Sequence, residues 1–315
     1  MIWELWNTHK LSQAYVRSRH PLESPLMLDY QKLKNVDLGV TTHTYSQRDT
    51  MLYALGIGMG MDPLDSQQLP FVYEKSLRAV PSMATVLGAP GMDWRDDGMG
   101  VDWVKLVHGE QRIRIFRPLP VAATLTATNR IVSLTDKGVG RGAVMSIERV
   151  MHEPGNAAPL ASTTQIAFLR GDGGFSTASG VSDPGPESLP SVPKTAPDYE
   201  VELASLPQSA LIYRLSGDYN PLHVDPAVSA AAGFSRPILH GLCTFGMAAH
   251  AVLKACVGYD SARIKSMAMR FTAPVYPGES VLFQIWRASS QMLQLRARIA
   301  AREVVVLNSG LIELH

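Results

Sequence analysis

Residues 213–229 read YRLSGDYNPLHVDPAVS, and they concentrate the groups of this chain most able to do chemistry. Asp218 and His223 are a carboxylate and an imidazole five positions apart. Gly217 permits an unusual backbone conformation and Asn220-Pro221 stops any helix, so both side chains project from an irregular loop. Such a pair can hold one water molecule, one group accepting its proton while the other fixes its orientation. The same residues have plainer uses. Asp218 can cap a following turn, Asn220 can close an Asx turn, and His223 can be a hydrogen-bonded core residue. A metal site of Asp218, His223 and Asp225 fits less well, because no third soft ligand is near and Pro226 restricts the loop.

The next segment, FSRPILHGL (234–242), leads into an apolar run over 240–257 that is long enough for a helix. A helix starting at about His240-Gly241 presents N–H groups with no internal partners at the positive end of its dipole. A glycine at that position lets a ligand approach the backbone closely. A thioester carbonyl resting there would have its developing enolate charge stabilised. An acid/base loop beside a helix-start oxyanion site suits the addition of water across an activated double bond.

The surrounding elements follow from hydrophobic periodicity. In the first half, residues 46–58 read as a helix with Ser46 as N-cap. Alternating stretches at 111–117, 123–134, 143–151 and 161–169 read as half-buried strands. The second half has a helix at 206–215, the apolar helix, and strands at 264–272, 280–287, 292–299 and 304–311. Helices first and strands after make an α+β protein with an antiparallel sheet covered by a helix, and argue against parallel βαβ units. Residues 171–197 are dominated by Gly, Ser and Pro and read as a linker between an N-terminal unit (27–170) and a C-terminal unit (198–315). Residues 1–26 look like an extension, with Met27 a natural beginning.

Composition narrows the function. The chain has 315 residues, is 46% hydrophobic and 18% charged, and carries a net charge of +1, which supplies no basic footprint for nucleic acid. Cys243 and Cys256 are the only cysteines, so a disulfide framework is not expected. The N-terminus lacks a signal-peptide core, and the apolar stretch 237–253 is interrupted by His240, His250 and glycines, as suits a buried helix. The C-terminus is not a Ser-Lys-Leu address, and a cytoplasmic, membrane-free protein is expected. Gly138–Ala143 (GVGRGA) fits a loose dinucleotide pattern, but the residues after it alternate like a strand, so it reads as a hairpin turn. Gly56, Gly58 and Gly60 are followed by Met61 and fail the same pattern, and Ser191 with Lys194 falls inside the linker.

YRLSGDYNPLHVDPAVS resembles the signature of the MaoC-like, or type 2, enoyl-CoA hydratases. HGLCTFGMAAHAVL is similar to that family's central hot dog helix, and RFTAPVYPGE to the strand and turn after it. YALGIG, FVYEKSLRAVPSMATVLG and LVHGEQRIRIFRPLP resemble the N-terminal half of the two-hot-dog hydratases found in peroxisomal multifunctional enzymes and their bacterial relatives. The resemblance covers roughly 27–315 apart from the linker.

It implies a double hot dog fold, two antiparallel sheets each around a helix, and reversible hydration of trans-2-enoyl-CoA to (3R)-3-hydroxyacyl-CoA. Asp218 and His223 would be the catalytic pair, Asn220 would orient them, and the Gly241 N–H would hold the thioester oxygen. Glu74 and Tyr53 match positions linked to activity in the N-terminal unit, although Tyr53 also reads as a core aromatic and Glu74 as a strand-edge charge. Arg236 and Arg270 are candidate cations for the CoA phosphates. His108 receives no catalytic role, and His240 and His250 read as core histidines. The first half has no D-x-N-P-x-H motif, and 81–88 allow at most two helical turns, so the N-terminal unit is expected to offer an acyl cavity in place of a second site. No metal or cofactor is expected. The acyl-CoA is the substrate, and the chain is expected to be a monomeric pseudo-dimer or a homodimer. Competing readings are a dehydratase on another acyl thioester, such as a dicarboxyl-CoA or an acyl-carrier-protein substrate, and a non-catalytic acyl-CoA-binding subunit.

Overall fold

The computed structural model describes residues 27–91 and 98–315, so the expected extension over 1–26 lies outside the described residues. Ten strands form one antiparallel sheet: β1 (Val40–Tyr45), β2 (Leu106–Ile115), β3 (Ala123–Asp136), β4 (Ala143–His152), β5 (Ala161–Leu169), β6 (Tyr199–Ala204), β7 (Ile264–Phe271), β8 (Ser280–Arg287), β9 (Met292–Ile299) and β10 (Val304–Leu314). Their order is β1-β3-β4-β5-β2-β7-β10-β9-β8-β6. The first five strands run 1-3-4-5-2, and the last five repeat that order from the opposite edge. The halves meet where β2 pairs with β7, from Glu110 opposite Arg270 to Arg114 opposite Ser266. Apart, β2 and β7 would each leave a row of backbone N–H and C=O groups unpaired. Joining them turns the two expected sheets into two halves of one continuous sheet. The outermost strands, β1 and β6, are additions to the elements read from periodicity.

Strands stand where residues alternate. On β9, Leu293, Leu295, Ala297 and Ile299 are buried while Arg298 between them is exposed. Gly138, Gly140 and Gly142 take positive φ in the β3–β4 hairpin, so GVGRGA is a turn and opens no helix.

Two helices matter for the site. Helix Gln47–Gly56 begins in a capping box between Ser46 and Asp49. Helix Gly241–Cys256 buries every residue from Cys243 to Leu253, because the C-terminal half of the sheet covers one side and Tyr53, Ile57 and Met83 of the N-terminal half pack into the same core. Gly246 allows this approach: a Cβ there would lie 2.9 Å from Tyr53 Oη and closer still to Ile57 Cγ2. Among the described residues, the N-terminal half has only the 3-10 turn Pro81–Thr85 in the corresponding role, all five residues buried. No helix among the described residues is long and apolar enough to cross a membrane.

The linker segment carries a short helix, Phe175–Ser179, and then runs without regular structure as a strap along the sheet. Asp183 N–H donates to the Leu134 carbonyl at 3.0 Å, Arg112 to that of Glu187 at 2.6 Å, Gln294 to that of Ser191 at 3.0 Å and Trp286 to that of Thr195 at 2.9 Å. Poor in apolar side chains, this segment is held by hydrogen bonds to its carbonyls and to the Asp183 carboxylate, which accepts from Tyr30 Oη, Lys34 Nζ and the Leu134 N–H, and it reaches from β3 to β8.

Candidate active site

The helix Ser209–Tyr213 passes into the 3-10 turn Arg214–Ser216, and Gly217, at φ 122°, ends both. An L side chain is strained at that φ, so the loop that follows depends on the glycine. Asp218 Oδ1 accepts the Asn220 N–H at 3.2 Å, and Asn220 Oδ1 accepts the Leu222 N–H at 3.0 Å. These two consecutive Asx turns set the 3-10 turn Pro221–His223 and so aim His223. Asn220 therefore acts through the loop it shapes. Asp225 caps helix Pro226–Ala231 by accepting the Ala227 N–H at 2.8 Å, which engages it outside the metal set considered from spacing.

His223 is buried, and its Nδ1 lies 2.8 Å from the Ile238 carbonyl. A carbonyl only accepts, so Nδ1 carries the proton and Nε2 keeps a lone pair. Burial lowers the pKa of His223, against the opposing pull of the Ile238 carbonyl and the Asp218 charge. His240 stacks on His223 with centroids 3.7 Å apart and planes at 27°, and its Nε2 lies 3.1 Å from the Asp218 carbonyl. Burial lowers the His240 pKa as well, and the neighbouring His223 adds to the effect. Both rings are thus held neutral at pH 7. His240, read from sequence as a core histidine, supports both members of the pair. Its place just before the helix-start glycine was the signal that could have found it.

Asp218, His223 and His240 each offer a ligand atom within 4.8 Å of the others. Stacked imidazoles direct their in-plane lone pairs side by side, whereas a tetrahedral ion needs them to converge. The set suits a water held between Asp218 and His223 better than it suits a cation.

Gly241 is the first residue of the long helix, and His240 provides no side-chain cap. The intrahelical pattern starts with the Cys243 N–H on the His240 carbonyl at 3.0 Å, leaving the earlier N–H groups to face outward. A Cβ on Gly241 would lie 3.2 Å from the Phe271 ring, so the residue type keeps this end of the helix open.

The remaining candidates fall differently. Tyr53 is fully buried, its hydroxyl donates to Ser82 Oγ at 2.9 Å, and its ring lies 5.9 Å from that of Tyr213. Tyr213 in turn lies 5.1 Å from the His240 ring, so Tyr53 supports the site from behind as a core aromatic. Glu74 is exposed on the bend after helix Leu69–Val72, and no hydrogen bond or ion pair found among the described residues ties it to the cluster. Arg236 stands exposed over the Tyr276 ring at 4.9 Å, two residues before the carbonyl that holds His223. Arg270 is engaged: its Nε lies 2.9 Å from Glu110, a buried carboxylate that Arg112 also pairs with. Alternation along β7 turns Arg270 to the face opposite Met267 and Met269, away from the core.

Residues 43–171 match the family model described as MFE-2 hydratase 2 N-terminal domain, and residues 188–307 match that described as MaoC like domain. "Enoyl-CoA hydratase 2, peroxisomal" of Arabidopsis thaliana is 37% identical over 289 residues, which span 87% of this chain and 92% of the relative. The chain belongs to the enoyl-CoA hydratase 2 family of MaoC-like proteins. The crystal structure titled as a MaoC-like dehydratase from Phytophthora capsici, another MaoC-like protein, superposes with a TM-score of 0.79 at 32% identity, covering 91% of this chain and 99% of that one. A Mycobacterium tuberculosis protein described as having a double hotdog fold aligns with a TM-score of 0.53 at 16% identity, covering 88% and 95%, a likeness that bears on fold alone. The repeated 1-3-4-5-2 order and the long helix Gly241–Cys256 are how this chain builds the family's architecture.

Proposed function

We propose that this chain is a hydro-lyase that adds water reversibly to trans-2-enoyl-CoA to give (3R)-3-hydroxyacyl-CoA. The observation that carries the reading is the pair Asp218 and His223, close enough to share one water, beside the open N-terminus of helix Gly241–Cys256. The thioester oxygen accepts the first helical N–H, which polarises the conjugated double bond. As the water oxygen attacks C3, the Asp218–His223 pair takes one of its protons, and the electron pair of the double bond moves onto the thioester oxygen as an enolate. The pair then returns a proton to C2 and the enolate collapses, so the pair ends as it began. His223 suits this role because its proton is fixed on Nδ1 and Nε2 is free to exchange.

The N-terminal half is the proposed seat of the acyl tail. The support is its shortened helix, since the 3-10 turn Pro81–Thr85 stands where the C-terminal half has the long helix Gly241–Cys256. A cytoplasmic setting is part of the proposal, and the peroxisomal name of the plant relative makes the compartment a separate question for imaging of the tagged protein.

The test is to mix purified protein with trans-2-enoyl-CoAs of increasing length, follow loss of the conjugated absorbance and resolve product chirality. An (S) product, or no hydration at any length, refutes the proposal. Faster turnover of long chains than of crotonyl-CoA is expected, and a strong preference for the four-carbon substrate would remove the acyl-cavity assignment.

A further inference from the structure

We propose that His108, from the N-terminal half, binds substrate in this active site by accepting, through Nε2, a hydrogen bond from the thioester-proximal amide N–H of the CoA pantetheine arm. The proposal rests on the hydratase reading and adds a residue which that reading does not use.

The first support is a strand irregularity. On β2, Gln111, Ile113 and Ile115 are buried while Arg112 and Arg114 point the other way. Strict alternation would place His108 with Glu110, Arg112 and Arg114, outside the core. The register slips at this point: β2 advances from His108 to Glu110 while its partner β5 moves only from Ala167 to Ile166. Gly109 is the extra residue of a bulge, and one extra residue transfers the preceding side chain to the opposite face. His108 therefore turns inward and meets the Phe271 ring edge-on, with centroids 4.9 Å apart and planes at 69°. Phe271 is the ring that stands against Gly241. The Asp218 charge also acts on His108. The residue thus shares a ring neighbour with the N-terminal end of the long helix and stands within electrostatic reach of Asp218.

The second support is an unmet polar atom. His108 Nε2 is enclosed and has no hydrogen-bond partner. The Glu110 backbone and the Gln111 side chain act on the ring in favour of a proton, and with Nε2 unpartnered we place that proton on Nδ1. Both stabilise a proton there, which leaves Nε2 a lone pair. Burial pushes this imidazole down to about 4, so the lone pair is unprotonated at neutral pH. A buried acceptor without a donor is costly, by about 1–3 kcal/mol, and the complex is where a donor can arrive. The thioester oxygen is an acceptor and cannot serve. The nearest N–H of an enoyl-CoA to the reacting carbonyl is the cysteamine amide, two methylenes beyond the sulfur.

The test compares wild type, His108→Phe and His108→Gln. Phe keeps an aromatic ring against Phe271 and removes the acceptor, while Gln keeps an acceptor oxygen. Two small substrates separate the roles: crotonyl N-acetylcysteamine thioester, which has the amide, and S-ethyl thiocrotonate, which lacks it. On the amide-bearing thioester, His108→Phe is expected to raise KM about tenfold with kcat within about twofold, and His108→Gln to recover most of the loss, the size of one hydrogen bond. On the ethyl thioester the variants are expected to agree with wild type within about twofold. Equal losses on both thioesters, or none on either, overturn the proposal. Calorimetric binding of butyryl-CoA, which has no double bond to hydrate, reads the contact without turnover. There His108→Phe is expected to weaken Kd by a similar factor. If wild type binds butyryl-CoA yet hydrates nothing, the function reading fails and this arm still decides His108. If wild type neither binds butyryl-CoA nor hydrates any enoyl-CoA, both fail. Melting curves check the fold, and His108→Ala replaces the Phe variant if that one melts early.

Discussion

Replacing Gly246 with alanine tests how the two halves support one site. In an ordinary helix interior this change stabilises by about 1 kcal/mol, because glycine is the poorer helix former. Here the new Cβ would come 2.9 Å from Tyr53 Oη and closer to Ile57 Cγ2. Neither neighbour can move freely. Ile57 is fully buried and branched at Cβ, and Tyr53 is fully buried with its hydroxyl on Ser82 and its ring against Tyr213. Overpacking of a well-filled core costs about 1–3 kcal/mol, and displacing Tyr53 from Ser82 puts roughly another 1 kcal/mol at risk. The steric terms exceed the propensity gain, so a net loss of about 1–3 kcal/mol is expected. At about 2–4 °C per kcal/mol for a chain of this size class, the melting temperature falls by several degrees. A shift of Tyr53 passes to Tyr213 and from there to His240, which stacks on His223, so kcat falls as well. Urea unfolding and steady-state hydration kinetics on the same preparations measure both effects. A Gly246→Ala protein as stable as wild type or more so would refute the close-packing argument, and full activity in a destabilised protein would refute the link from Tyr53 to the proposed catalytic loop.

Asp218→Asn is expected to lower kcat by about 10²–10⁴-fold with the melting temperature unchanged, as measured by enoyl absorbance and thermal unfolding. Asn220→Ala removes the acceptor for the Leu222 N–H; about 1 kcal/mol of stability is expected to go with it, and a larger proportional loss of kcat than of stability would show that the turn aims His223. Because burial depresses the His223 pKa, the acid limb of kcat/KM is expected below the ordinary value of 6.5, and a limb at or above that value in a pH–rate profile would contradict the geometry. His250 is buried and pushed down to about 4, so above pH 6.5 it is neutral in both folded and unfolded chains. As pH falls from 6.5 toward 4 only the unfolded chain gains that proton, and the urea midpoint is expected to drop between pH 7 and pH 5.

The sequence by itself determined what depends on neighbours a few positions away. Alternation placed eight of the ten strands, Ser46 marked a helix start, and Gly138 to Gly142 marked a hairpin. The same is true of the loop proposed to be catalytic: Gly217, Asn220 and Pro221 impose their turns through their own φ preferences and short hydrogen bonds, so its shape was legible before any fold was known. The helix start at Gly241 was legible for a similar reason.

Tertiary structure decided what depends on partners far along the chain. The pairing of Glu110 with Arg270 across β2 and β7 made one sheet of two, and it engaged an arginine that sequence left free for CoA. Glu74 stayed outside the site and Tyr53 went behind it, because a residue's distance from the chemistry is set by packing and not by its motif. His240 joined the site through a ring contact across 17 positions, and His108 turned inward because one bulge residue reversed the alternation of β2. A period-two pattern cannot show where it is interrupted, since the slip is defined only against the neighbouring strand.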